Sequence, residues 1–259
     1  MNAETPPEIT LKRYNYKLKI AYDGTLYSGW QMQPNGLSIQ EVLQEAICKI
    51  LNLEVKIIGS GRTDAGVHAL AQIANFHSEK KIDLRRFYQS INSIIPKDIR
   101  VLDVSEVPLE FHAQYKAKRK VYHYHIALGK VQLPFKRLYA THFTYPFDLD
   151  LLRKASLFFV GTHDFTSFAN QAYQGSAAID PIRTLYRLDI IEEEGGIRLE
   201  FEGDGFLNKM VRNIVGTLLD VVVGNIDIEA IAAIFAARDR RKAGQLAPPQ
   251  GLFLVEVVY

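Results

Sequence analysis

Tyr14, Tyr16, Leu18, Ile20 and Tyr22 alternate with Arg13, Asn15, Lys17 and Lys19. A period of two with one apolar side predicts a strand with a single buried face. The period then changes. Ser38 and Glu41 have capping-box spacing, and Ile39, Val42, Leu43, Ala46, Ile47, Ile50 and Leu51 follow at helical intervals, which predicts an amphipathic helix over 39–51. Cys48 falls opposite that stripe and reads as a surface or interface thiol. Short strands are expected at Val55–Ile58 and Leu70–His77, then a helix capped by Asp83 with Leu84, Phe87, Ile91 and Ile94 inward, then a strand at Ile99–Val104.

A similar series follows. Tyr122, Tyr124, Ile126 and Leu128 share one strand face, with His123 and His125 on the other. A short strand over Tyr139–Tyr145 and a helix from Asp148 to about Val160 come next. After the loop GTHDFTSFANQAYQGS, strands are expected at Arg183–Ile191 and Ile197–Glu202. The span Phe206–Val223 carries a strong helical stripe through Met210, Ile214 and Leu218, Asp227 caps a helix through Ala237, and Leu252–Val258 is a last strand.

Both halves therefore read strand–helix–strand–strand–helix–strand, the split βαβ or ferredoxin-like unit. The expected fold is α+β: two ferredoxin-like halves joined into one mixed, mainly antiparallel sheet, with helices behind it and a central basic cleft wide enough for a nucleic-acid stem. Residues 1–11 read as a disordered lead-in, 12–110 as the N-terminal half and 111–259 as the C-terminal half, with the boundary near Pro108.

Composition narrows the choices. The 259 residues carry 31 Lys+Arg against 29 Asp+Glu, so binding to nucleic acid would need basic residues gathered locally. Such groups occur at Lys116, Lys118, Arg119 and Lys120, at Lys80, Lys81, Arg85 and Arg86, and at Arg238, Arg240, Arg241 and Lys242. With one cysteine there is no intramolecular disulfide and no thiolate metal-ligand spacing. The seven histidines form no metal-binding motif, so no metal is expected. The polar start MNAETPPEIT is unlike a signal peptide, and no apolar run approaches membrane-spanning length, so a cytoplasmic protein is expected.

The chemistry concentrates in GSGRTDAGVHAL, Gly59–Leu70, where three glycines surround Arg62 and Asp64. It is not a P-loop, because no lysine follows Gly66, and Gly61 and Gly66 are too far apart for a dinucleotide fingerprint. Two readings remain for Arg62 and Asp64: a surface ion pair on a tight connection, or a nucleophilic carboxylate held in a glycine-lined cleft beside a guanidinium. Arg212, on the polar side of its helix, is either solvated or turned into the cleft to orient Asp64. Tyr122 and Tyr124, directly after four basic residues, suit a surface where a base stacks while phosphates are neutralised, or an ordinary half-buried strand. Trp30, in the turn-rich YDGTLYSGWQMQPNG, either covers core or lines a cleft.

GRTDAGVHA closely resembles the signature of the transfer-RNA pseudouridine synthase A family, and the resemblance extends through KVYHYHI, DFTSFAN, GDGFLNKMVRNIVG and the closing GLFLVEVVY. It implies that Asp64 is the catalytic nucleophile and that Tyr122 packs on the target base, with a further candidacy for proton removal. It also implies that Arg212 pairs with the acid, that Leu252 lines the uracil pocket and that Arg62 helps extrude the nucleotide. Two departures, Ser60 for a commoner alanine and a polar N-terminal extension, leave that chemistry untouched. The implied activity is isomerisation of uridine to pseudouridine at transfer-RNA positions 38, 39 and 40, in the anticodon arm, by a homodimer that uses no cofactor and no metal. Alternatives from the residues are a non-catalytic RNA-binding or RNA-folding module of the same fold and, more distantly, a small-molecule enzyme with a carboxylate nucleophile.

Overall fold

The computed structural model describes residues 13–170 and 180–259; the lead-in expected at 1–11 and part of the loop after Gly161 lie outside the described residues. The first alternation forms β1 (Tyr14–Tyr22), with Tyr16, Leu18, Ile20 and Tyr22 buried. It is followed by α1 (Ile39–Leu51), β2 (Ile58–Gly59), β3 (His68–Ser78), α2 (Leu84–Ile94) and β4 (Ile99–Val107). The second series is β5 (Arg119–Leu128), β6 (Thr141–Phe143), α3 (Leu149–Ser156), β7 (Gly161–Asp164), β8 (Ile182–Glu193), β9 (Gly196–Gly203), α4 (Met210–Val222), α5 (Ala230–Ala237) and β10 (Leu252–Val258).

All the described strands join one sheet, ordered β4-β1-β3-β10-β5-β9-β8-β7. In the first half β2 also pairs with β3, so the first and third strands are central and the fourth and second lie outside. In the second half β10, β5, β9 and β8 repeat that order. The halves meet where β10 runs parallel to β3, through Phe253 opposite His68 and Leu254 opposite Ala69. Most other pairings are antiparallel.

That junction positions the site. One edge of β3 is divided: Ala74 and Asn75 pair with β2 of the same half, while His68 and Ala69 pair with β10 of the other. The glycine loop leaves β2 and enters β3 across this break, so its residues face both halves. The division also accounts for the brevity of β2. A strand is expected over Val55–Ile58, but only Ile58 and Gly59 find ladder partners.

The starts of α1, α2 and α3 are those their caps specify. Ser38 Oγ accepts the Glu41 N–H at 3.2 Å and Glu41 Oε2 accepts the Ser38 N–H at 3.4 Å, closing the capping box. Asp83 and Asp148 cap α2 and α3 by accepting from Arg86 N and Leu151 N. Several details differ from expectation. Asp227 does not cap α5, which starts after Glu229 without a side-chain cap. Ile94 faces outward because α2 ends there and the extended Ile95 turns into the core instead. Gly161–Asp164, expected within a loop, pairs with β8 as β7. Phe206 and Leu207 precede α4 in a turn that ends at Lys209, whose φ of 60° is left-handed. α3 tightens into a 3₁₀ turn at Leu157–Phe159 before reaching Val160. Cys48 is not a surface thiol: it is half-buried against the core, and its Sγ accepts the Val55 N–H at 3.4 Å. Among the described residues no helix is long and apolar enough to cross a membrane.

Candidate active site

The loop between β2 and β3 is held from several sides. The Trp30 indole lies against Gly59 so closely that a Cβ there would be 2.5 Å from the ring, and the Trp30 backbone N–H donates to Thr63 O at 3.1 Å. Tyr22 and Thr63 share a hydroxyl hydrogen bond of 2.8 Å. The buried Gln72 accepts from Ser60 Oγ at 2.6 Å and donates to Gly61 O at 2.9 Å. Lys120, from the other half, donates through Nζ to Ser60 O at 2.8 Å. Trp30 thus does both things open to it, being buried and lining the cleft.

Asp64 sits at the centre of this arrangement. Arg212 Nη1 donates to Asp64 Oδ2 at 2.7 Å, and Arg212 Nε donates to Ala247 O at 2.8 Å. The fork is therefore clamped between a backbone carbonyl and the carboxylate, which directs one face of the acid. The Arg212 side chain is 9 % exposed and that of Asp64 21 %. Arg212 is not solvated because α4 is buried nearly all round, so its polar side faces the interior of the cleft. Arg62 is exposed and forms no ion pair with Asp64; its Nε donates to Gln31 Oε1 at 3.2 Å.

Asp64 and Arg212 line a cleft of about 1060 Å³ together with Arg62, Tyr122 and Leu252, so all five residues singled out from the sequence share one space. Tyr122 and Leu252 come from adjacent strands, Leu254 pairing with Tyr122 and Leu252 with Tyr124. Phe206 packs edge-on against Tyr122, ring centroids 5.0 Å apart. Burial, then the neighbouring Tyr22 and Asp64, push the Tyr122 phenol far above its ordinary range, so at neutral pH it offers an un-ionised ring. Burial and the adjacent Arg183 bring the Lys120 ammonium down to about 8. Six lysines and arginines line the cleft (Lys56, Arg62, Lys120, Arg183, Lys209 and Arg212) against three aspartates, giving it the charge an RNA backbone requires.

Lys120 stood in the sequence only as one of a charge run, although its place two residues before Tyr122 puts both on the same strand face. Gln31 carried no sequence signal beyond lying next to Trp30. His123 and His125 point to the other face of the sheet, beside Glu200 and Glu193.

The family model described as tRNA pseudouridine synthase matches residues 19–116 and 155–259. Among curated proteins, the chain is 60% identical over 245 residues to tRNA pseudouridine synthase A 1 of Protochlamydia amoebophila, covering 94% of this chain and 96% of that protein. It is 45% identical to tRNA pseudouridine synthase A of Thermoanaerobacter sp. strain X514, covering 95% and 99% of the two chains. The corresponding protein of Chlamydia trachomatis serovar L2b is 44% identical, with coverages of 93% and 91%.

Proposed function

The chain belongs to the tRNA pseudouridine synthase A family, and from that premise we propose that Asp64 is the nucleophile with which it isomerises uridines 38, 39 and 40 of the anticodon arm. The observation that carries this reading is the Arg212-clamped carboxylate at the junction of the two halves, 2.7 Å from the guanidinium and facing the cleft.

The reaction breaks the bond between uracil N1 and ribose C1′, turns the base, and forms a bond from C5 to C1′. C5 loses a proton and N1 ends with one, so nothing is oxidised and no group is transferred to or from a co-reactant. Asp64 attacks as a carboxylate, either at uracil C6 or at C1′, and is regenerated. The target base must first leave its stack, at a cost of a few kcal/mol. Packing on the un-ionised ring of Tyr122, apolar contact with Leu252 and phosphate contacts along the basic cleft offset that cost. Arg62, exposed and lining the cleft, helps extrude the nucleotide on this reading. Walls made by Tyr122, Leu252, Trp30 and Phe206 limit water, which would otherwise divert the reaction to free uracil.

We further propose that 12–110 and 111–259 act as two units contributing to one site, that the protein is a cytoplasmic homodimer with one tRNA touching both subunits, and that it needs neither metal nor cofactor. The test is to incubate the purified protein with unmodified tRNA, no metal or nucleotide added, and to map pseudouridine by position. Pseudouridine at 38–40, lost in Asp64→Asn and Asp64→Ala while tRNA still binds, is the expected result. Substantial turnover by either variant removes Asp64 from its role.

A further inference from the structure

Arg62 stands at the mouth of the cleft on a short loop, and a long exposed side chain there would sample many directions. Among the described residues it has no carboxylate within ion-pair distance, since its neighbour Asp64 is engaged by Arg212. What it does have is a neutral acceptor: its Nε donates to Gln31 Oε1 at 3.2 Å. Behind Gln31 lies the buried Gln40, in the first turn of α1.

The direction of this chain of amides is determined by backbone groups that can act in only one way. Gln40 Nε2 donates to Ile57 O at 2.9 Å, and a carbonyl only accepts. Gln40 Oε1 accepts the Met32 N–H at 2.9 Å, and an N–H only donates. Both constraints turn the Gln40 amide the same way, leaving Oε1 as the sole acceptor for the Gln31 Nε2 donor at 2.7 Å. Gln31 must therefore present its oxygen to Arg62. Ile57 O also lies directly before β2, so the relay is anchored on the strand from which the loop departs.

We propose that Gln31 is a positioning residue for Arg62, and that the Gln40–Gln31 relay aims the guanidinium into the cleft without neutralising it. This rests on the reading of Arg62 as a group that acts on the target nucleotide. The choice of amide over carboxylate matters. An acceptor at Nε holds the planar guanidinium in one orientation and leaves both Nη groups for RNA. A glutamate at 31 would have the same shape but would bind Arg62 as an ion pair, and it would set its oxygen against Gln40 Oε1 with no hydrogen between them.

The test measures single-turnover pseudouridine formation at saturating tRNA, tRNA affinity and thermal unfolding for Gln31→Leu, Gln31→Glu, Arg62→Ala and the double variant Gln31→Leu/Arg62→Ala. Gln31→Leu is expected to slow turnover ~10–100-fold with affinity within ~3-fold, since small misplacements of a positioning group have effects of that size. In the Arg62→Ala background the same substitution should add less than ~2-fold, because the residue it positions is gone. Gln31→Glu should also be slow and should recover in part as salt screens the new ion pair. Gln31→Leu turning over at the wild-type rate overturns the relay. So does a Gln31→Leu deficit that multiplies with that of Arg62→Ala, because Gln31 then acts through the loop fold, with a lowered melting temperature as its mark. Wild-type turnover by Arg62→Ala overturns instead the reading of Arg62 itself.

Discussion

Arg212 and Asp64, 148 residues apart in the chain, meet at 2.7 Å through Nη1 and Oδ2, and the same guanidinium holds Ala247 O through Nε. The acid comes from the loop of one half and the base from the main helix of the other, so the pair both orients the carboxylate and ties the halves together. Removing either partner separates these roles. Arg212→Met leaves Asp64 without its charge partner at a site only 21 % exposed and is expected to destabilise the protein by about 2–3 kcal/mol, less than for a fully buried pair. Asp64→Asn should reduce turnover by about 10⁴-fold or more, as loss of a nucleophile does. The double variant should unfold at a higher temperature than Arg212→Met alone while remaining inactive. Denaturant melts and pseudouridine assays of the three proteins check this; additive stability losses would show that the pair is not coupled.

How much of this was legible beforehand depended on whether a signal was local. The strand β1, the Ser38–Glu41 capping box and the Asp83 and Asp148 caps are set by neighbours a few residues away, and they stand where the sequence placed them. The glycine loop and Asp64 were likewise readable as a motif. What could not be read locally was the divided edge of β3, because the brevity of β2 is imposed by β10, nearly 200 residues on. Arg212 shows the same limit. On an isolated helix its position is a solvent face, and only the packing around α4 turns that face inward. Lys120 looked like part of a solvated charge run, but its Nζ reaches Ser60 O of the glycine loop and makes it a wall of the cleft.

Tyr122 separates ring from hydroxyl. It is 7 % exposed and packs on Phe206, and its phenol stays un-ionised at neutral pH. Tyr122→Phe keeps the ring and is expected to bind tRNA within about twofold of wild type. Tyr122→Ala should weaken binding by about 1–3 kcal/mol, the usual worth of one base stacked on an aromatic ring. Equilibrium binding at fixed salt distinguishes the two; equal affinities for Phe and Ala would remove the stacking role.

Gly29 has no room for a side chain. Its φ is +92°, and a Cβ would lie 2.4 Å from Thr63 O, the carbonyl next to Asp64. Gly29→Ala must therefore push on the backbone of the loop that carries Asp64 as well as strain its own, and a loss of about 2–4 kcal/mol with a large fall in turnover is expected. Gly224 is the control. Its φ is +79° but nothing lies within 4 Å of the added atom, so Gly224→Ala should cost about 1–2 kcal/mol and leave activity intact. If the two variants are equally active, contact with Thr63 does not govern the loop.

Lys120 gives the cleft a dependence on pH. Its ammonium donates to Ser60 O, and burial together with Arg183 lowers it from 10.5 to about 8. Raising the pH through 8 therefore removes one positive charge from the wall beside the loop, and tRNA affinity should fall several-fold between pH 7 and 9, with a shallower salt dependence at the higher pH. Lys120→Arg stays charged across that range and should flatten the profile. Stability should move the opposite way. The unfolded chain holds this proton up to 10.5 and the folded protein only to about 8, so between those values unfolding takes up a proton, and the contribution of this group to stability rises with pH. Affinity that falls while Lys120-linked stability climbs is the expected signature in paired binding and melting series. An affinity profile unchanged by Lys120→Arg would assign the pH dependence to another group.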